Sequence, residues 1–155
     1  MKSVIVPVGS QAPSWALNDS TGTRHRLDDI EGDRVMLIFF RGFWCESCQA
    51  QLERLKAEHE EFVDRGAVTV AISSDTPKIG DGLAESLPFL VLCDSKLVVI
   101  RQYGILHQPD DRGPGIAHPS VFVLDRTRTV RYAYIGADPD DRPKIEALLL
   151  ALESI

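Results

Sequence analysis

The chain predicts an α/β domain, a mixed central sheet with helices on both faces and a small β-hairpin at its N-terminal side. Three observations carry that expectation. Short apolar runs rich in β-branched residues alternate with stretches of helical period along most of the chain. The 155 residues, 44% of them hydrophobic, suit one sizeable core. No internal repeat, low-complexity tract or linker divides the chain, so residues 1–155 read as a single domain.

The elements follow in order. Turn signals in "GSQAPSW" and "NDSTGTRH" bracket two short strands, Ser14–Leu17 and Thr23–Arg26, the expected hairpin. "LDDIEGD" reads as one helical turn ending at Gly32. "RVMLIFF" (34–40) is a continuous apolar run whose length and flanks suit a strand buried on both faces. From Glu46 to Arg65 the period becomes helical, with Leu52, Leu55, His59, Phe62 and Val63 on one stripe and Gly66 as the stop.

"AVTVAIS" (67–73) is a second buried strand, and "TPKIGDGLAESL" a poor helix weakened by Gly80 and Gly82. "PFLVLCD" reads as a strand and "SKLVVIRQYG" as a helix. "DDRGPGIAH" (110–118) is a connector or lid. "PSVFVLD" and "TVRYAYIG" form an antiparallel pair turning near Arg126–Arg128. "DDRPKIEALLLALESI" closes the chain as a helix, with Asp141 as cap, Pro143 in its first turn and Leu148, Leu149 and Leu152 toward the sheet.

Charge and composition exclude several function classes. A net charge of −6 argues against a nucleic-acid partner. No run approaches the roughly 18–20 apolar residues of a membrane span, and the N-terminus lacks a signal peptide's long apolar segment. The expectation is a soluble, cytoplasmic protein.

The chemistry concentrates in "FFRGFWCESCQAQLERL", where Cys45 and Cys48 stand at the junction of a buried strand and a helix. Three cysteines leave one over from any closed disulfide framework, and in a reducing compartment a close pair is catalytic or metal-binding more often than structural. Cys45 falls at or just before the helix start, where free N–H groups and the helix dipole stabilise an anion. Cys48 lies one turn further in, which makes Cys45 the attacking sulfur and Cys48 the resolving one. Two alternatives stay open, small core residues and half of a zinc site. Zinc needs about four ligands, and Cys93, His25, His59, His107 and His118 form no completing pattern.

The stretch "GSQAPSWALNDSTGTRHRLDDIEGDRVMLIFFRGFWCESC" resembles the opening of peroxiredoxin-like proteins of the alkyl-hydroperoxide-reductase/thiol-specific-antioxidant (AhpC/TSA) superfamily. "RGFWCESC" is similar to the R-G-x-W-C-P-x-C segment of one peroxiredoxin-like branch. "GAVTVAISSD", "LPFLVLCDSKLVVIRQYGI" and "HPSVFVLDRTRTVRYAYIG" keep the superfamily's order. The resemblance implies a thioredoxin-like three-layer sandwich and a cofactor-free thiol oxidoreductase. It implies a peroxide or protein-disulfide substrate, an external thiol reductant such as thioredoxin or glutathione, and room for a homodimer.

Departures from the pattern matter as much. Peroxiredoxins carry Pro-x-x-x-Thr/Ser-x-x-Cys, whereas Ile38 and Gly42 stand at the matching positions before Cys45. Where they place an arginine before the Phe-Val-x-Asp strand, this chain has Pro119, which resembles the cis-proline of thioredoxin-type oxidoreductases. Arg41 offers a positive charge four residues before Cys45, Trp44 a wall at the mouth of the site, and His118 a proton carrier beside the sulfurs. Glu46, inside the motif, is expected to make Cys45 less acidic. The buried acid of thioredoxins is replaced by Phe39. Cys93 and His59 read as packing residues.

Overall fold

A computed structural model of the chain describes residues 4–76, 83–108 and 115–155. Strands β1 (Ala16–Asp19) and β2 (Arg24–Arg26) form the hairpin, and a 3-10 turn follows at Leu27–Asp29. Strand β3 (Arg34–Phe39) leads to helices α1 (Glu46–Ala57) and α2 (His59–Asp64), then to β4 (Ala67–Ser73). Next come α3 (Leu83–Ser86), β5 (Leu90–Cys93) and α4 (Val98–Gln102). A ribbon of β6 (Leu106–His107) and β7 (Ile116–Ala117) precedes β8 (Ser120–Leu124), β9 (Val130–Ile135) and α5 (Ile145–Glu153).

The main sheet has seven strands in the order β2-β1-β5-β4-β3-β8-β9. Strands β3, β4 and β5 are mutually parallel, because helices return the chain between them, while β8 and β9 add antiparallel pairs on one side. The alternation of side chains along β3 splits the core into two layers. Val35, Leu37 and Phe39 enter one, with Ile100 and Tyr103 near α4. Met36, Ile38 and Phe40 enter the other, with Leu52 and Leu55 of α1, Phe62 of α2, and Leu148 and Leu152 of α5. Each such leucine, fully buried, contributes about 1.5–3 kcal/mol.

The structure corrects several expectations. The helix expected over Glu46–Arg65 is two, broken at Glu58, whose φ of −101° and ψ of 12° leave the helical range. The break changes the phase of the stripe, so Phe62 stays buried while Val63 is 52% exposed. Gly66 ends α2 as expected, with φ of +72°, where a side chain would be strained. The hairpin strands begin later than their turn signals suggest, and β1 pairs with β5, so the hairpin extends the sheet. Lys144 rather than Asp141 precedes α5; the Asp141 carboxylate instead accepts from the Tyr134 hydroxyl and, at 2.7 Å, from the Ala137 N–H. Within 110–118, Ile116–Ala117 is a strand paired with Leu106–His107, not plain connector. Gly80 and Gly82 lie outside the described residues, as do both acidic residues of the 110–118 stretch, Asp110 and Asp111.

Candidate active site

The parallel strand β3 ends at Phe39, and the chain turns outward through Phe40–Trp44 to reach Cys45, the residue that precedes α1. Catalytic groups gather beyond the carboxyl ends of such strands because the loops there are free of the ladder. Three bonds hold this loop. The Phe40 N–H donates to the Ile72 carbonyl at 3.0 Å, and the Phe43 N–H to the Asp75 carboxylate at 2.9 Å. The Gln49 amide closes the turn on the Phe43 carbonyl. Asp75 is buried and also accepts from the Ser73 hydroxyl at 2.9 Å, so it ties the end of β4 to the cysteine loop.

Cys45 and Cys48 are both free thiols and both buried, Cys45 at 5% exposure and Cys48 at 0%. Arg41 serves both: its guanidinium lies 3.7 Å from Cys45 Sγ and its backbone N–H donates to Cys48 Sγ at 3.3 Å. The same guanidinium stacks 4.9 Å from the ring of Trp44, which is 57% exposed. A Cβ on Gly42 would come within 2.2 Å of the Trp44 indole nitrogen. Trp44 thus leaves no room for a side chain at position 42.

The environments push the two sulfurs apart. Burial opposes ionisation of Cys45, but the thiol and N–H of Cys48 and the Arg41 guanidinium outweigh it and hold Cys45 below the usual thiol range. Burial dominates at Cys48 and raises it, although Arg142 works against the rise. Cys45 therefore ionises first. Glu46 is exposed on the first residue of α1 and hydrogen-bonds neither sulfur.

Arg142 and Asp75 went unnoticed in the sequence. Arg142 Nη2 lies 3.2 Å from Cys48 Sγ, reached across 94 positions. The signal was slight, one cation within the acidic run "GADPDDRP", which reads as helix capping. Asp75, two residues past the end of a buried strand, is the signal the sequence offered, an acid beside an apolar run.

Two expected members differ from expectation, one in its partner and one in its peptide bond. The His118 ring packs on His107 at 4.6 Å, beside the β6–β7 ribbon, and hydrogen-bonds neither cysteine. Burial and then the neighbouring His107 hold its pKa below the usual histidine range. The His118–Pro119 peptide is trans, contrary to the cis expectation. Pro119 immediately precedes β8, one residue beyond the Phe39–Ser120 pair, where its missing N–H costs the ladder nothing. Its carbonyl accepts from the Gly136 N–H at 2.7 Å. Cys93, half-buried at the end of β5, is raised to about 11 by burial and by the charges of Asp75 and Asp19, so it is a thiol at neutral pH. His59 packs toward Phe89 at 6.1 Å, as expected of a helix-face residue.

A buried dithiol at a strand-to-helix junction, flanked by arginine, is the feature that comparison with known proteins can place. The model of the AhpC/TSA family matches residues 8–133. The chain belongs to the AhpC/TSA family. It is 30% identical over 134 residues to the thiol-disulfide oxidoreductase ResA of Geobacillus thermodenitrificans, covering 84% of this chain and 71% of that one. It is 28% identical over 131 residues to the chloroplastic peroxiredoxin Q of Gentiana triflora, covering 83% of this chain and 59% of the relative. Among solved structures, the peroxidoxin BcpB of Mycobacterium tuberculosis superposes with a TM-score of 0.84 at 24% identity, over 96% of this chain and 97% of that one. That likeness establishes the thioredoxin-type peroxiredoxin fold. No helix among the described residues is long and apolar enough to cross a membrane.

Proposed function

We propose that this AhpC/TSA-family thiol oxidoreductase reduces hydroperoxides through Cys45 and Cys48. The Cys45 thiolate attacks the terminal peroxide oxygen; the O–O bond breaks, water or an alcohol leaves, and Cys45 becomes a sulfenic acid. Cys48 attacks that sulfur, water departs, and a Cys45–Cys48 disulfide forms. An external thiol such as thioredoxin or glutathione restores the dithiol. Arg41 donates to the thiolate and to the peroxide oxygens, standing in for the activating groups missing at Gly42 and Pro119. Trp44 walls the entrance, and His118 and Pro119 shape the side nearest β8.

One observation carries the choice of electrophile. Cys45 is only 5% exposed, so a small peroxide reaches it, whereas the disulfide of a folded protein requires the Trp44 wall to move. A second reading, protein-disulfide reduction, is favoured by the likeness to ResA and by the absent hydroxyl at Gly42. Stopped-flow fluorescence of the reduced protein with hydrogen peroxide separates the two, with mass spectrometry of the quenched product. Oxidation far faster than that of free cysteine, ending in a Cys45–Cys48 disulfide, supports the peroxidase. A rate equal to free cysteine's removes it in favour of disulfide exchange.

A further inference from the structure

The two sulfurs have separate cations, Arg41 at Cys45 and Arg142 at Cys48. Arg142 lies between β9 and α5 and reaches back to α1. Its Nε donates to the Pro139 carbonyl at 2.9 Å, Nη1 to the Gln51 side-chain oxygen, and Nη2 to Cys48 Sγ at 3.2 Å. Asp140, two residues before it, accepts from the Ser47 hydroxyl. Ser47 and Gln51 are four apart on α1 and flank Cys48, so the segment is pinned to the helix on either side of the sulfur. The contact is fixed by its surroundings.

Arg65, Arg126 and Arg131 pair with carboxylates, but Arg142 is in no ion pair among the described residues. The adjacent Asp141 is engaged by Tyr134 and Ala137. Of the three acceptors on the Arg142 guanidinium, an amide oxygen, a carbonyl and a thiol, only the thiol can become an anion. A cleft of about 230 Å³ is lined by Arg142 together with Ser47, Gln51, Arg54 and Asp140 among others. Cys48 itself is fully buried.

We infer that Arg142 is a catalytic residue of the resolution step, holding the Cys48 thiolate as it attacks Cys45. The inference rests on the dithiol chemistry proposed above. Cys48 releases its proton to solvent, and the thiolate gains the guanidinium as counter-ion. Its electron pair forms the S–S bond while the bond from Cys45 to its substituent breaks. That substituent leaves as hydroxide after a hydroperoxide, or as a thiolate after a disulfide, and takes a proton from solvent. The two cysteines are oxidised and the hydroperoxide or disulfide that Cys45 attacked is reduced. In this arrangement one arginine serves each half of the reaction, Arg41 the attack and Arg142 the closure.

The test uses an aromatic disulfide reagent that releases one coloured thiolate when Cys45 attacks and a second when Cys48 closes the disulfide. Arg142→Gln is expected to leave the first release within about twofold. It slows the second about tenfold or more at neutral pH, and moves its pH midpoint up by about 1–3 units. Arg142→Lys restores part of the rate. In a Cys45→Ala background, ultraviolet titration of the Cys48 thiolate shows the same upward shift. An unchanged second release and an unchanged Cys48 titration, in Arg142→Gln protein with native circular dichroism, overturn the inference. Should Arg142→Gln fail to fold, the uncharged Arg142→Met is read instead, and a wild-type closure rate with a wild-type Cys48 pKa there overturns it too. The readout is independent of peroxide: failure to react with hydrogen peroxide alongside a slowed second release sinks the peroxidase reading and leaves Arg142 in place.

Discussion

Cys45 and Cys48 are chemically alike and three residues apart, and their difference comes from what their neighbours donate. Cys45 takes the Cys48 thiol and N–H and the Arg41 guanidinium; Cys48 is deeper and pays more in lost hydration. Arg41→Gln removes one stabiliser of the Cys45 thiolate, so its pKa rises and less thiolate exists at any pH below it. The pH profile of Cys45 alkylation by iodoacetamide is therefore expected to shift to higher pH; an unmoved midpoint refutes the role given to Arg41. Cys45→Ser abolishes turnover, and Cys48→Ser accumulates the sulfenic acid or mixed disulfide, which mass spectrometry detects. At this scale the dithiol and Arg41 were legible, because a strand-to-helix switch and a four-residue offset are local. Arg142 and Asp75 were not, being joined to the loop only by folding, across 94 and 32 positions.

The elements hold those residues by bonds of known worth. Asp75→Ala strips the Phe43 N–H of its buried acceptor, and such an orphan costs about 1–3 kcal/mol. Urea unfolding is expected to show that loss, with faster alkylation of Cys48 as the loop loosens; unchanged stability contradicts the tie between β4 and the cysteine loop. The hairpin has its own acid dependence. Burial opposes ionisation of Asp19, but the Thr21 hydroxyl, the His25 ring and the N–H groups of Thr21 and Thr23 outweigh it and lower it to about 2. A carboxylate lowered in the fold stabilises it above the unfolded value of about 3.9, and that contribution fades as pH falls toward the folded value. Asp19→Asn is expected to be less stable than wild type at neutral pH and to converge with it near pH ~2, measured by thermal melts across that range. Periodicity showed most of these elements. It missed the α1–α2 break and the β6–β7 ribbon, since two-residue strands carry no period.

Over the whole molecule, the sheet divides the core into two layers, and the layer that holds the cysteines is closed by α5. Leu152 is fully buried there with Leu52, Leu55 and Phe62. Leu152→Ala is expected to cost about 2–5 kcal/mol by chemical denaturation. A cost under 1 kcal/mol would mean that α5 is not part of this layer. What the sequence by itself determined is the alternation of strand and helix, the buried β3 and β4, and a dithiol at the end of a strand. Those are consequences of apolar period and chain order, which act over a few residues. Only the tertiary structure decided that the hairpin joins β5, that His118 packs on His107, that Pro119 precedes β8 through a trans peptide, and that Arg142 meets Cys48. Burial is written residue by residue, whereas the field at a sulfur is set by charges that reach it through space, from segments whose separation along the chain carries no trace of their contact.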